Sequence, residues 1–152
     1  PLINEAAIDK VISIVKQATD NGAKVLTGGK ASTAHGRNFY EATVLVDVDD
    51  SMEVYNEEIF GPVAPLFKFK TEADAIRIAN DTPFGLVGFV QSRDPDRARA
   101  VANRIRAGRV YLNGAPFDRS LPFGGYKQSG NGREFGVFGF EEYLEVKAIL
   151  GH

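Results

Sequence analysis

The chain contains no cysteine among its 152 residues. This absence excludes disulfides, cysteine-ligated metal sites and catalysis by a thiolate of this chain. Apolar runs as long as a bilayer span are also missing, as are the basic and hydrophobic segments of a signal peptide. A formal net charge of -2 leaves no excess positive charge for binding nucleic acid or an anionic membrane. We therefore expect a cytoplasmic protein with no nucleic-acid and no membrane partner.

Most of the chain reads as an average globular protein, with 43% hydrophobic and 25% charged residues. Asn4 is a typical helix N-cap, and the helix that it starts should stop at Asn21-Gly22. Its apolar face is predicted at helical spacing, at Ile8, Val11, Ile12 and Val15.

Strands and helices alternate after this first helix. Strands are predicted at Lys24 to Thr27, Phe39 to Val48, Val63 to Phe69, Leu86 to Val90 and Val110 to Leu112. Helices are predicted from Thr71 to about Asn80 and from Asp94-Pro95 to Gly108. Leu86 to Val90 is continuously apolar, which is typical of a strand covered on both faces. The order predicts an α/β fold with an open, mostly parallel sheet and helices on both faces.

One turn carries unusual chemistry, the stretch Glu57-Glu58-Ile59-Phe60-Gly61-Pro62. Two carboxylates precede a ring and a Gly-Pro stop, which is typical of a turn that presents polar groups. A carboxylate there can accept hydrogen bonds from ribose hydroxyls, and the ring can pack against a planar heterocycle. Such a turn suits a nicotinamide nucleoside.

A second motif follows about sixty residues later, Pro122-Phe123-Gly124-Gly125-Tyr126-Lys127-Gln128-Ser129-Gly130-Asn131-Gly132-Arg133-Glu134. Together the two stretches resemble the aldehyde dehydrogenase family, whose C-terminal part carries E-E-x-F-G-P and P-F-G-G-x-K-x-S-G-x-G-R-E. Both patterns match without a departure. Linking features such as Asn80 to Leu86 and Ala107 to Asn113 resemble the family too, so the resemblance covers the whole chain.

The resemblance implies oxidation of an aldehyde to a carboxylic acid with NAD or NADP, through a thiohemiacetal and thioester on a cysteine. Because this chain has no cysteine and begins at Pro1 without a methionine, we expect it to be the C-terminal piece of a longer enzyme. The nucleophile and the general base would lie upstream, so no catalytic residue is expected here. The chain alone should be inactive.

The resemblance also implies site residues. Glu58 and Phe60 would contact the nicotinamide ribose, while Glu57 should have a structural role. Substrate-binding residues would be Asn113, at the end of its strand, and Phe117 and Phe123 around the loop that lines the aldehyde entrance. Arg133 and Glu145 would lie at the interface of a homo-oligomer, a dimer or tetramer.

The tail alternates apolar and polar residues from Tyr143 to Leu150, which predicts a terminal strand. The resemblance implies that this strand takes part in oligomerisation. The expected organisation is therefore residues 1–140 as part of the catalytic domain and residues 141–152 as an oligomerisation strand.

Other candidates favour structural interpretations. His35 lacks a catalytic partner and is expected to be a solvated loop residue. Asp47, Asp49 and Asp50 lack the glycine and distal glutamate of a calcium loop, so an acidic turn is predicted and no metal site is expected. Six glycines from Gly124 to Gly139 fit neither a dinucleotide fingerprint nor a P-loop.

Two other functions stay open. The chain could be a non-catalytic interaction module that kept the fold and the oligomerising tail without the chemistry. A stand-alone nucleotide-binding domain is less favoured, because the residues contain no dinucleotide fingerprint. The aldehyde itself and the choice between NAD and NADP stay open as well.

Overall fold

The structure, a computed structural model, describes residues 1–32 and 34–151. It divides into two compact units, Pro1–Thr71 and Glu72–His152, each of which is described by itself.

The first unit is built on helix α1, Glu5–Asp20. The predicted N-cap is confirmed, because Asn4 Oδ1 accepts a hydrogen bond from Ala7 N at 2.9 Å. The buried face of α1 consists of Ile8, Val11, Ile14, Val15 and Ala18. Ile12, predicted to face the core, is 40% exposed, since a helix turns about 100° per residue and places Ile14 closer to the centre of the apolar stripe.

Five short strands and one helix complete this unit: β1 Lys24–Thr27, β2 Ala31–Ser32, β3 Phe39–Tyr40, β4 Thr43–Val46, α2 Glu53–Asn56 and β5 Val63–Pro65. The main sheet has the order β1-β4-β5, with β1 antiparallel and β5 parallel to β4. Strands β2 and β3 form a separate antiparallel pair. Leu45 of β4 and Met52 are almost completely buried and lie in one core cluster with the α1 face.

Two strand predictions were too long. The stretch from Phe39 to Val48 is divided between β3 and β4. Strand β3 pairs with β2, and Glu41 N continues on that side by bonding Lys30 O, so the pairing with the main sheet begins only at Thr43. Strand β5 ends at Pro65 rather than Phe69, and proline cannot donate to a ladder.

The second unit contains α3 Glu72–Asn80, β6 Val87–Val90, α4 Pro95–Ala102, β7 Arg109–Leu112, a 3-10 turn Lys127–Ser129 and α5 Gly136–Glu141. Asp94 caps α4 as predicted, since its Oδ1 accepts from Asp96 N at 3.0 Å and Arg97 N at 3.1 Å. Strands β6 and β7 are parallel, and α4 connects them. This βαβ unit brings the carboxyl ends of both strands to one edge.

The α/β class is confirmed, but in the described residues the single open sheet is replaced by three small sheets of two or three strands. The expected burial of β6 on both faces was wrong: Phe89 is 74% exposed and stacks on Tyr111 with ring centroids 5.3 Å apart. Helix α4 packs near the other face, where Ile105 lies against Gly88.

The terminal strand predicted from the tail is also absent from the described residues, which end at residue 151. Residues 141–151 are exposed and form no ladder after α5. Alternation supplies an apolar face, but a strand needs a neighbouring edge for its N–H and C=O groups, and this stretch has none within the described part of the chain. No helix in that part is long and apolar enough to cross a bilayer.

Candidate functional site

The turn at residues 57–62 is fastened to α1 by Lys10. The Lys10 ammonium lies 3.2 Å from Glu57 Oε2 and donates to the backbone oxygen of Glu58 at 2.8 Å. Glu57 is thus engaged by its own unit. The Glu58 carboxylate is exposed, and no group within residues 1–32 and 34–151 bonds it. The Glu57 carboxylate therefore holds the turn on α1, and the Glu58 carboxylate is available to a ligand.

Phe60 has a strained backbone, with φ at 49°. The chain just after it is fixed, because a Cβ on Gly61 would lie 2.5 Å from Val11 Cγ2 and Pro62 O accepts from Thr43 N at 2.8 Å. A positive φ is uncommon for a bulky residue and costs about 1 to 2 kcal/mol. The ring nevertheless stays 78% exposed.

An open groove of about 470 Å³ lies beside this ring. Leu2, Phe39 and Phe60 contribute apolar walls to it. The turn therefore presents a free carboxylate and, two residues further, a ring on the wall of an apolar groove. That combination can accept hydrogen bonds from hydroxyls and contact a flat apolar group.

In the second unit, Asn113 joins the carboxyl ends of β6 and β7. Its backbone has φ at 49°, and its N–H donates to Val90 O at 2.9 Å. Its side-chain oxygen accepts from Ser92 N at 2.8 Å. Because that oxygen already has a backbone partner, Asn113 anchors the loop that follows it.

The predicted residues Phe117 and Phe123 are brought together. Their ring centroids are 6.3 Å apart, and Phe135 lies 5.6 Å from Phe117. Phe123 is fixed by a two-way backbone bridge to Glu134, at 2.7 and 2.6 Å. The three rings form an aromatic cluster at the end of the loop.

Sequence reasoning missed Arg109, the residue that ties this loop to the sheet. Its guanidinium donates to the backbone oxygens of Leu121 at 2.6 Å and of Pro122 at 2.8 Å. The same group lies over the rings of Phe117 and Phe123. The available signal was a lone charge in the strand Arg-Val-Tyr-Leu, whose other members are apolar or aromatic.

Lys127 and Ser129 were also missed, although both belong to the second motif. Lys127, at φ 55°, donates to Asn80 O at 2.8 Å and Thr82 O at 2.9 Å. Ser129 Oγ accepts from Gly85 N at 3.0 Å. These bonds hold the segment between α3 and β6, which explains why a lysine and a serine stand two positions apart in the motif.

The two residues expected at an interface differ in their contacts. Arg133 Nη1 donates to three backbone oxygens, those of Gly125, Asn131 and Gly132. Glu145 is exposed and has no partner within the described residues. Arg133 thus stabilises the glycine-rich loop of its own chain.

The acidic turn has partners of its own. Lys24 and Lys68 each donate to Asp47 at 2.8 Å and lower the pKa of its carboxyl to about 2. Hydrogen bonds from Ser51 lower the pKa of Asp49.

The ring of His35 lies 5.7 Å from that of Phe39. In the described residues no three histidine or acidic side chains are grouped to hold a metal ion.

Known proteins resemble the whole chain. The sequence profile of the aldehyde dehydrogenase family matches residues 1–149. The mitochondrial succinate-semialdehyde dehydrogenase of Arabidopsis thaliana is 49% identical over 150 residues, which are 98% of this chain and 28% of the relative. The NADP(+) succinate-semialdehyde dehydrogenase of Escherichia coli strain K12 is 47% identical over 148 residues, 97% of this chain and 30% of the relative.

Solved structures of aldehyde dehydrogenases also resemble this chain. The crystal structure of a mutant aldehyde dehydrogenase C from Pseudomonas syringae, complexed with NAD+ and octanal, has a TM-score of 0.91 and 50% identity and covers 98% of this chain and 31% of that chain. This chain therefore spans about 30% of the length of the relatives it matches. The resemblance carried by the two motifs is confirmed, and the chain belongs to the aldehyde dehydrogenase family.

Proposed function

We propose that this chain is the C-terminal part of the catalytic domain of an NAD(P)-dependent aldehyde dehydrogenase, which oxidises an aldehyde to a carboxylic acid. The observation that carries the proposal is the turn at residues 57–62, where no described group bonds the Glu58 carboxylate and Phe60 is exposed at a strained φ. Family membership and the length of the relatives support the assignment.

The residues of this turn fit the nicotinamide half of the cofactor. The Glu58 carboxylate would accept hydrogen bonds from the ribose hydroxyls, and the Phe60 ring would pack beside the sugar and the heterocycle. When bound, the nicotinamide supplies the acceptor for the hydride that leaves the substrate carbon. NAD and NADP both remain candidates, since one relative is named for NADP(+) and one solved neighbour contains NAD+.

The second unit supplies the aldehyde side of the proposal. Phe117 and Phe123 form an apolar wall for the substrate chain, and Asn113 anchors the loop that carries Phe117. The nucleophilic cysteine would come from the longer protein, because this chain contains no cysteine, and the family resemblance places the general base there too. The chain by itself is therefore expected to be inactive.

Assembly and location belong to the same proposal. Residues 1–140 would form part of the catalytic domain, and residues 141–152 would pair with a neighbouring subunit of a homo-oligomer in the cytoplasm. Support comes from the exposed apolar side chains of the tail, such as Val146 at 99% and Leu150 at 92%. Arg133 would act there by shaping the glycine-rich loop, and Glu145 by direct contact.

The exposed tail also favours the second candidate, a non-catalytic interaction module with the same fold. The two candidates differ in one respect, the oxidation of an aldehyde by the complete natural protein that contains this chain. An interaction module would form the oligomer without producing reduced cofactor.

Calorimetric titration with NAD+ tests the proposal. The 152-residue chain should show no binding, because Glu58 and Phe60 form one wall of the site, while the complete natural protein should bind NAD+ and oxidise aldehydes. Binding by the 152-residue chain alone would instead indicate an autonomous nucleotide-binding domain. A complete protein that neither binds NAD+ or NADP+ nor oxidises any aldehyde would overturn the proposal.

A further inference from the structure

Most hydrogen bonds of the Arg109 guanidinium go to the loop that carries Phe117. Nη2 donates to the backbone oxygens of Asp118, Leu121 and Pro122 at 3.2, 2.6 and 2.8 Å. Nε donates to Pro122 O at 3.1 Å, and Nη1 to the hydroxyl of Tyr111 at 3.2 Å. All three guanidinium nitrogens therefore serve uncharged protein oxygens, and a lysine ammonium could not reproduce this planar set of bonds.

The same guanidinium lies against the two rings of the proposed substrate wall. Its Cζ is 4.6 Å from the ring centroid of Phe117 and 5.3 Å from that of Phe123, both within the range of cation-π contact. Phe117 is half exposed and stands on a surface loop. Among the ring contacts of the described residues, loss of Arg109 would leave Phe117 its edge contacts with Phe123 and Phe135.

We propose that Arg109 is a positioning residue that fixes Phe117 and Phe123 as an apolar wall, and that this wall selects aldehydes with an apolar chain over semialdehydes that end in a carboxylate. This inference rests on the proposed function. A substrate carboxylate would have to compete with three backbone oxygens for the guanidinium. It would also have to approach past the rings of Phe117 and Phe123, which lie against that group. An alkyl or aromatic chain, in contrast, would gain contact with both rings without breaking a bond.

The alternative is that Arg109 only stabilises the second unit. A purely structural role predicts equal losses for all substrates, because fewer molecules would be folded. A positioning role predicts a change in KM that depends on the aldehyde, with kcat almost unchanged, since the wall contacts the chain of the substrate and not the reacting carbon.

The experiment uses Arg109→Met and Arg109→Lys in the complete natural protein, with octanal and succinate semialdehyde as probes. Wild type should have the lower KM for octanal. Arg109→Met should raise the KM for octanal about tenfold and leave kcat within about twofold, with a smaller effect on the semialdehyde. Arg109→Lys, which keeps the charge but not the planar donor set, should recover only part of the loss. Arg99→Met, on the exposed face of α4, is the matched control and should change neither constant.

A second readout needs no turnover. Hydrogen exchange of the backbone amides in residues 114–121 should become faster in Arg109→Met and stay unchanged in Arg99→Met, because Arg109 holds the loop oxygens of Leu121 and Pro122 and Arg99 does not. Unchanged exchange, equal losses for both aldehydes, or a wild-type preference for the semialdehyde would each overturn the inference. A wild-type protein that oxidises no aldehyde would overturn the proposed function and the substrate preference with it.

Discussion

Phe60 and Lys127 share a strained backbone and differ in what their side chains do. Both have positive φ, 49° and 55°. The Lys127 side chain bonds the backbone oxygens of Asn80, the last residue of α3, and of Thr82, so its strain is offset inside the chain. Phe60 is 78% exposed and has no ring partner among the described residues. Strain that contributes nothing to internal packing is typical of binding sites.

The turn at residues 57–62 and the glycine-rich motif at residues 122–134 differ in the same way as Phe60 and Lys127. At the turn of residues 57–62 the side chains proposed to bind have no hydrogen-bond or ring partner in residues 1–32 and 34–151, and Lys10 and the backbone of Pro62 hold the turn in place. In the glycine-rich region the motif side chains bond backbone groups of their own unit, since Arg133 donates to Gly125 O and Ser129 Oγ accepts from Gly85 N. A shared family motif can therefore contain ligand-binding residues in one place and purely architectural ones in another.

The largest expected effect is in the architectural region. A Cβ on Gly108 would collide with the backbone of Gly124, where no flexible side chain can move away. We expect Gly108→Ala to lower the free energy of unfolding by about 3 kcal/mol, the upper end of the usual cost of overpacking, because the clash is with backbone. Urea titration followed by far-UV circular dichroism measures it. Gly132→Ala, where a Cβ meets nothing within 4 Å, is the control and should be nearly neutral. Equal effects of the two would refute the close backbone contact.

The next effect is on binding. Glu58→Gln should weaken NAD+ binding by the complete protein about tenfold or more, since a hydrogen bond to a charged group contributes about 1.5 to 3 kcal/mol. Its unfolding free energy should stay unchanged, because the carboxylate has no partner in the described chain. Glu57→Gln should do the reverse, with unchanged affinity and a small loss of stability from the Lys10 ion pair. Similar affinities for both variants would remove the distinction between the two carboxylates.

A smaller effect tests the strain itself. Phe60→Gly should leave the unfolding free energy unchanged or raise it by about 1 kcal/mol, because glycine adopts positive φ without the steric cost, while NAD+ binding weakens. Lys127→Gly relieves the same strain but loses two charged hydrogen bonds, so we expect a net loss of about 1 to 2 kcal/mol. Thermal unfolding of both variants gives the answer. A destabilised Phe60→Gly would show that the ring contributes to packing.

The smallest effect concerns Asp47, a positive-φ residue whose carboxylate is held by two lysines. Its pKa is lowered from 3.8 to about 2, so the stability it contributes is present above pH 4 and is lost as the pH falls from about 4 to 2. The difference in unfolding free energy between wild type and Asp47→Asn, measured by urea titration, should therefore shrink over that range. A difference that stays constant with pH would contradict the ion pairs.

Local signals in the sequence predicted the helix caps of the fold correctly. Asn4 and Asp94 were recognised as caps because a cap depends on residues within one turn of itself. The tail strand failed because a strand depends on an edge elsewhere, which alternation cannot report. Arg109 was missed for a related reason: its partners are loop oxygens around ten positions away, and backbone atoms leave no trace in the sequence.

Tyr111 gives the molecule an optical reporter of its own. Its hydroxyl accepts from Arg109, and its ring stacks on Phe89. The chain has no tryptophan and only five tyrosines, so no indole captures the excitation energy of the phenols. Release of the guanidinium removes a donor from one phenol and changes its near-ultraviolet absorption and emission. In the 152-residue chain, the attachment of the loop to the sheet can thus be followed without a label.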